Sequence, residues 1–137
     1  MSRLVLSTFC LAAALAVLPA CGDGGGEPAP PADYTGTWVG DYTVSLQPGV
    51  TYVGTLVVTQ TGSTITGTLS TTAGRTANVT GTISGSDMTA TFTYTDGCAG
   101  SASSTAQLSA DKLTVTGTYQ STDCIGSYSG TFTLTGQ

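Results

Sequence analysis

The feature that most constrains this chain is a five-residue unit, apolar–any–Gly–Thr–apolar, that recurs six times within about a hundred residues. The copies run Tyr34–Trp38, Tyr52–Leu56, Ile65–Leu69, Val79–Ile83, Val115–Tyr119 and Tyr128–Phe132. In an extended strand the two apolar residues and the central glycine share one face, and the threonine falls on the other. Alternation with period two continues between the copies, and no window from Tyr34 onward has a helical period. The spacing is uneven, with 36 residues separating Val79 from Val115. A fixed-period solenoid or propeller is thereby excluded.

Turn-forming residues divide this region into eight expected strands, at 36–46, 51–60, 64–70, 75–84, 88–96, 100–108, 112–120 and 127–136. Pro48-Gly49, Gly62-Ser63, Ala73-Gly74, Gly85-Ser86-Asp87 and Ser109-Ala110-Asp111 supply the turn chemistry. Connections this short favour antiparallel neighbours, so the expected fold is all-β, an up-and-down antiparallel barrel of about eight strands. A two-sheet β-sandwich is the alternative, because alternation alone does not distinguish the two. A membrane-spanning barrel would need strands of about 9–11 residues with the apolar face turned outward and aromatic girdles at both ends.

The inward face carries Trp38, Tyr42, Tyr52, Leu56, Tyr94 and Tyr119 among others, and the outward face is largely Thr and Ser. Only 8% of residues are charged, against roughly 25% in an average soluble domain. The chain has 28 threonines, which suit a strand backbone while offering a hydroxyl to water. Inward glycines at 40, 54, 67, 81, 117 and 130 cost strand stability. Two reasons can be given for them: sharp bending that closes a small barrel, or space left for a ligand. Trp38, Tyr42, Tyr52, Tyr94 and Tyr119 are the candidate ligand-binding residues, on a face that equally reads as core.

Gly36-Thr37-Trp38 at the start of the first strand and Thr/Gly-rich hairpins such as residues 57–69 resemble the calycin-like barrels of the lipocalin and avidin type. Within that group the chain is similar to short Thr/Gly-rich bacterial lipoproteins of unassigned function. The resemblance implies a barrel with Trp38 at its closed end.

Ahead of the barrel region, Arg3 precedes an apolar run from Leu4 to Val17, too short to span a bilayer and suited to a signal-peptide core. It ends in Leu18-Pro19-Ala20-Cys21, which resembles the lipobox of bacterial lipoproteins. That resemblance implies a lipoprotein signal peptide over residues 1–20, cleavage before Cys21 and acylation of Cys21, with palmitate or a related chain. The expected location is the bacterial cell envelope, at the outer membrane or the outer face of the cytoplasmic membrane. An ordinary secretory signal, leaving Cys21 as a spare thiol, is the alternative. Residues 21–33 are Gly- and Pro-rich and acidic and read as a tether. The expected organisation is thus leader 1–20, lipidated Cys21 and tether 21–33, and barrel domain 34–137. Two acyl chains or more make such an anchor stable.

Cys98 and Cys124 form an even pair in an oxidising compartment, so a disulfide is expected. In a meander both fall in loops at one end, the end opposite the chain termini. Arg75, Asp96 and Asp123 gather there too. Two carboxylates are too few oxygen ligands for a calcium site, so no metal and no cofactor is expected. The absence of His removes Ser-His-Asp and Cys-His catalysis. A net charge of −5 argues against a nucleic-acid partner. The expected function is a non-enzymatic binding module for a small apolar or carbohydrate ligand, tethered to the membrane through its lipid anchor. The alternative is a structural or inhibitor-like component with a filled barrel and an envelope protein as partner. A cavity of roughly 300 Å³ or more would separate the two readings.

Overall fold

The structure, a computed structural model, describes residues 29–137. Cys21 and the leader lie outside the described residues. Eight strands follow in chain order: β1 (Gly36–Thr43), β2 (Thr51–Thr61), β3 (Thr64–Thr71), β4 (Thr76–Ser84), β5 (Asp87–Tyr94), β6 (Ser101–Leu108), β7 (Thr114–Asp123) and β8 (Gly126–Gly136). Every neighbouring pair is antiparallel, and β1 pairs with β8 to close the ring, with Trp38 opposite Gly136 and Tyr42 opposite Phe132. Closure removes both sheet edges and rules out the sandwich.

The strand ends differ from expectation where side chains stop the ladder. β5 ends at Tyr94, because Asp96 folds back to accept hydrogen bonds from the Thr76 and Cys98 N–H groups. β1 ends at Thr43, where a tight turn begins with the Gln47 N–H donating to the Val44 carbonyl. β7 runs on to Asp123, which pairs with Gly126. The segment read as an open loop at 121–126 is therefore a hairpin with only Cys124 and Ile125 at its tip.

The barrel has a filled half and a hollow half. At the end where β1 begins and β8 finishes, Ile65, Met88, Val79 and Val115 are fully buried, with Leu108, Ile83, Val58, Trp38 and Leu134 around them. Each such side chain contributes about 1.5–3 kcal/mol on leaving water. Tyr34 plugs this end at 1% exposure, its ring 6.2 Å from that of Trp38. The Trp38 indole N–H donates to the Tyr34 carbonyl at 2.9 Å, and the Tyr34 hydroxyl donates to the Ser86 carbonyl at 2.6 Å. Gln60 holds the incoming chain: its Oε1 accepts from the Tyr34 N–H and its Nε2 donates to the Ala32 carbonyl. Burial raises the Tyr34 phenol to about 12, against a smaller opposing hydrogen-bond contribution.

The outward face is Thr and Ser, linked across strands by hydroxyl pairs such as Thr76–Thr95 at 2.9 Å and Thr43–Thr131 at 3.1 Å. Pairs of this kind contribute about 0.2–1 kcal/mol each. The hydroxyls thus cross-brace the barrel as well as solvate it.

Candidate functional site

Away from the plugged end, the barrel interior opens into a cavity of about 420 Å³. Its floor is Leu56, Leu69, Phe92 and Leu134, and its mouth lies among the turns that carry Leu46, Ala73 and Ile125. Two walls make the space. On β6 the lining residue is the small Ala102. Four strands away in a ring of eight, β2 contributes Gly54.

The six inward glycines are thereby of two kinds. A Cβ at Gly130 would stand 1.9 Å from the Thr43 carbonyl oxygen, and one at Gly67 would stand 2.0 Å from that of Val57. Gly40, Gly81 and Gly117 meet backbone oxygen at similar range. These five permit neighbouring strands to coil tightly against one another. Gly54 is different. A Cβ there would meet only the Leu69 and Tyr42 side chains, at 3.6 and 3.7 Å, which is ordinary contact. Its lack of a side chain leaves space.

Of the residues singled out in the sequence, Tyr42, Tyr52, Tyr94 and Tyr119 line this cavity, whereas Trp38 lies beneath it in the filled end. Trp38 is held there because its N–H bonds to the Tyr34 carbonyl, the placement that the calycin-like resemblance implies. Tyr128 joins the lining from β8. Its position two residues before Gly130, in the last copy of the repeat, was the available signal. The rings form a connected band: Tyr42 stacks on Tyr52 at 5.5 Å and meets Tyr119 edge-on at 6.5 Å, and Tyr119 meets Tyr128 edge-on at 6.4 Å.

The hydroxyls of this band point to partners in the protein itself. Tyr119 donates to the Thr43 carbonyl at 2.7 Å, and Tyr128 donates to Asp123 Oδ2 at 2.7 Å. Tyr94 pairs with the buried Ser121 hydroxyl at 2.7 Å, and Tyr52 donates to Gln47 Oε1. Burial raises the phenol pKa of Tyr42, Tyr119 and Tyr128, with neighbouring tyrosines adding to the effect at Tyr42 and Tyr119, and Tyr94 and Asp123 at Tyr128. All three stay neutral at physiological pH.

Arg75, which enters from the turn before β4, organises the mouth. Its guanidinium lies 4.0 Å over the Tyr94 ring and contacts Asp96 Oδ2 at 2.9 Å and Asp123 Oδ2 at 3.0 Å. The Asp96 contact is ionic without an aligned hydrogen bond, since the buried Nε finds no acceptor in its N–H direction. Asp123 has no solvent-exposed side-chain surface. Burial works to raise its carboxyl pKa, but the Tyr128 hydroxyl, the Ile125 N–H and Arg75 together outweigh burial and hold it below the ordinary value.

The Cys98–Cys124 disulfide ties the β5–β6 turn to the β7–β8 hairpin beside this cluster. Cys98, Asp123 and Cys124 lie close enough to suggest metal ligands, but two of the three are joined to each other and the third faces Arg75. Asp96 and Asp123, which the sequence gathers at this end with Arg75, both contact its guanidinium.

No family model matches the chain, and no curated protein matches its sequence.

Proposed function

We propose that this protein is a non-enzymatic binding module that admits a small, largely apolar molecule through the looped end of the barrel. In this proposal a lipidated Cys21 anchors it to the bacterial cell envelope. The observation that carries the reading is the cavity of about 420 Å³ over an apolar floor, above the roughly 300 Å³ at which ligand sites begin. An apolar ligand fits better than a carbohydrate, because four of the five tyrosine hydroxyls that would meet sugar hydroxyls are already bonded to the wall. The same satisfaction supports a binding role over catalysis: the carboxylates face Arg75, and the phenols of Tyr42, Tyr119 and Tyr128 remain neutral. The anchor rests on the leader and on Cys21, and the chain approaches the barrel through Ala32 at the plugged end. A membrane attachment there would leave the mouth facing away from the bilayer.

The test uses N-phenylnaphthylamine, an uncharged dye whose emission rises in apolar surroundings. The wild-type protein binds it. Gly54→Leu, whose Cβ meets only the Leu69 and Tyr42 side chains at ordinary contact, weakens binding by at least about tenfold while leaving the circular dichroism unchanged. Equal binding by the two proteins would show that the cavity is not the site. For the anchor, Cys21→Ser moves the protein from the membrane to the soluble envelope fraction; a variant that stays in the membrane overturns it.

One observation supports the protein-interaction reading. Leu46 and Ile125 stand at the rim with 54% and 69% of their surface exposed. On that reading Leu46→Ser with Ile125→Ser abolishes co-purification of an envelope partner, and unchanged co-purification overturns it.

A further inference from the structure

The mouth of the cavity combines three properties that together select one kind of ligand head. The first is aromatic surface. Five tyrosines, 42, 52, 94, 119 and 128, line the cavity, and most of their hydroxyls are engaged by wall groups. What they retain for a ligand is the ring, whose face is electron-rich.

The second is charge. Arg75 is the one base at this end among the described residues, and it contacts both Asp96 and Asp123. The cluster sums to one positive and two negative charges, a net −1. The other base, Lys112, lies in the β6–β7 turn at the plugged end, its N–H bonded to the Ser109 carbonyl. Arg75 is the charged residue of the cavity lining, and its contacts to Asp96 and Asp123 neutralise it, so an anionic head finds no unpaired cation.

The third is a demonstration within the protein. Arg75 itself places a delocalised cation 4.0 Å above the Tyr94 ring. The band that surrounds it offers further rings of the same type.

We propose that the ligand of this cavity is an amphiphile with a cationic head that needs no hydrogen bonds, of the quaternary ammonium kind, seated on the tyrosine band above an apolar tail. This rests on the cavity-binding reading and specifies its ligand class. A quaternary ammonium tolerates the shortage of free acceptors because it has no N–H to satisfy, and it gains from ring faces while Asp96 and Asp123 offset the charge of Arg75. A carboxylate of the same chain length loses on both counts.

The experiment compares octyltrimethylammonium, octanol and octanoate by titration calorimetry against the oxidised mature protein, with N-phenylnaphthylamine binding measured in parallel. Octyltrimethylammonium should bind tightest, by roughly three- to thirtyfold over octanol, with octanoate weakest. The cation's advantage should shrink at high ionic strength. Tyr42→Leu, which removes a ring and keeps an apolar side chain, should lower octyltrimethylammonium affinity by roughly threefold or more while leaving octanol affinity within about twofold. If the dye binds but the cation is not preferred over octanol, or octanoate binds tightest, the head-group assignment is overturned and the binding reading stands. If neither the dye nor any octyl compound binds, the binding reading itself has failed.

Discussion

Replacing Arg75 by methionine isolates the electrostatic cluster that knits the mouth together. Methionine keeps most of the aliphatic stem and removes the guanidinium. Three contacts go at once: the ionic contacts to Asp96 and Asp123, at 2.9 and 3.0 Å, and the stacking over Tyr94. Removing one partner of a buried ion pair typically costs about 3–5 kcal/mol, because a charge is left without compensation. Here the Asp123 side chain is fully inaccessible but keeps hydrogen bonds from the Tyr128 hydroxyl and the Ile125 N–H. Asp96 keeps those from the Thr76 and Cys98 N–H groups. The loss should therefore fall near the lower end, about 3 kcal/mol at neutral pH. With a urea slope of about 1–3 kcal/mol per molar, the midpoint drops by about 1 M or more. Urea denaturation followed by tyrosine fluorescence, with the disulfide kept oxidised, measures it. Adding Asp123→Asn removes the orphaned charge and should restore at least about 1 kcal/mol. The pH dependence has a definite sign. In the wild type the Asp123 carboxyl titrates below its ordinary value of 3.8, so its contribution is complete above that pH and is lost as pH falls through the lower folded value. In Arg75→Met the carboxyl loses its cation and protonates at higher pH, so the deficit relative to wild type should narrow on acidification. A loss under about 1 kcal/mol, or a double variant no more stable than the single, would refute the view that Asp123 depends on Arg75.

Three further outcomes follow from the geometry. Cys98→Ala with Cys124→Ala opens a loop of 26 residues and should cost about 3.5 kcal/mol on the chain-entropy account, read as a difference in urea midpoint from the oxidised protein. Gly130→Ala, whose Cβ would lie 1.9 Å from a backbone oxygen, should destabilise by more than about 2 kcal/mol, whereas Gly54→Ala should be neutral or stabilising by up to about 1 kcal/mol in the same assay. In alkaline titration followed by phenolate absorbance, Tyr34, Tyr42, Tyr119 and Tyr128 should ionise above the ordinary 10.0. Because a phenol with a raised folded pKa stabilises the fold only while protonated, stability should be lost as pH rises from 10.0 through about 12 for Tyr34, and Tyr34→Phe should blunt that loss.

The ring of strands was legible because a strand's side-chain period is two and each copy of the Gly-Thr unit sets which residues face inward. Even β6, with only Ala and Ser along its inner face, takes its expected place at Ser101–Leu108, since β5 and β7 need a partner between them. The pairing of Cys98 with Cys124 follows from the same meander, which brings their two turns to one end. The candidate site was legible in part. Tyr42, Tyr52, Tyr94 and Tyr119 lie on the inner face and at the open end. Trp38 shares that face but lies at a different depth, and depth along a barrel axis depends on strand stagger, to which alternation is blind. The roles of Tyr34, Gln60 and Arg75 also escaped the pattern. Each acts through hydrogen bonds or ion pairs to residues distant in the chain, such as Tyr34 to Ser86 or Arg75 to Asp123.

What the sequence determined by itself is the alternation: which side chains are inside, which are outside, and that Thr rather than charge solvates the surface. What only the tertiary structure decided is the use made of the inner glycines. Five sit where a neighbouring strand's carbonyl leaves no room for a Cβ, and one sits where there is room and nothing fills it. In the sequence Gly54 is indistinguishable from Gly67, Gly81, Gly117 and Gly130 at the centre of their units, because a glycine has no side chain by which to declare its surroundings. The distinction lies in the distance to atoms on the next strand, and that distance exists only once the barrel has closed.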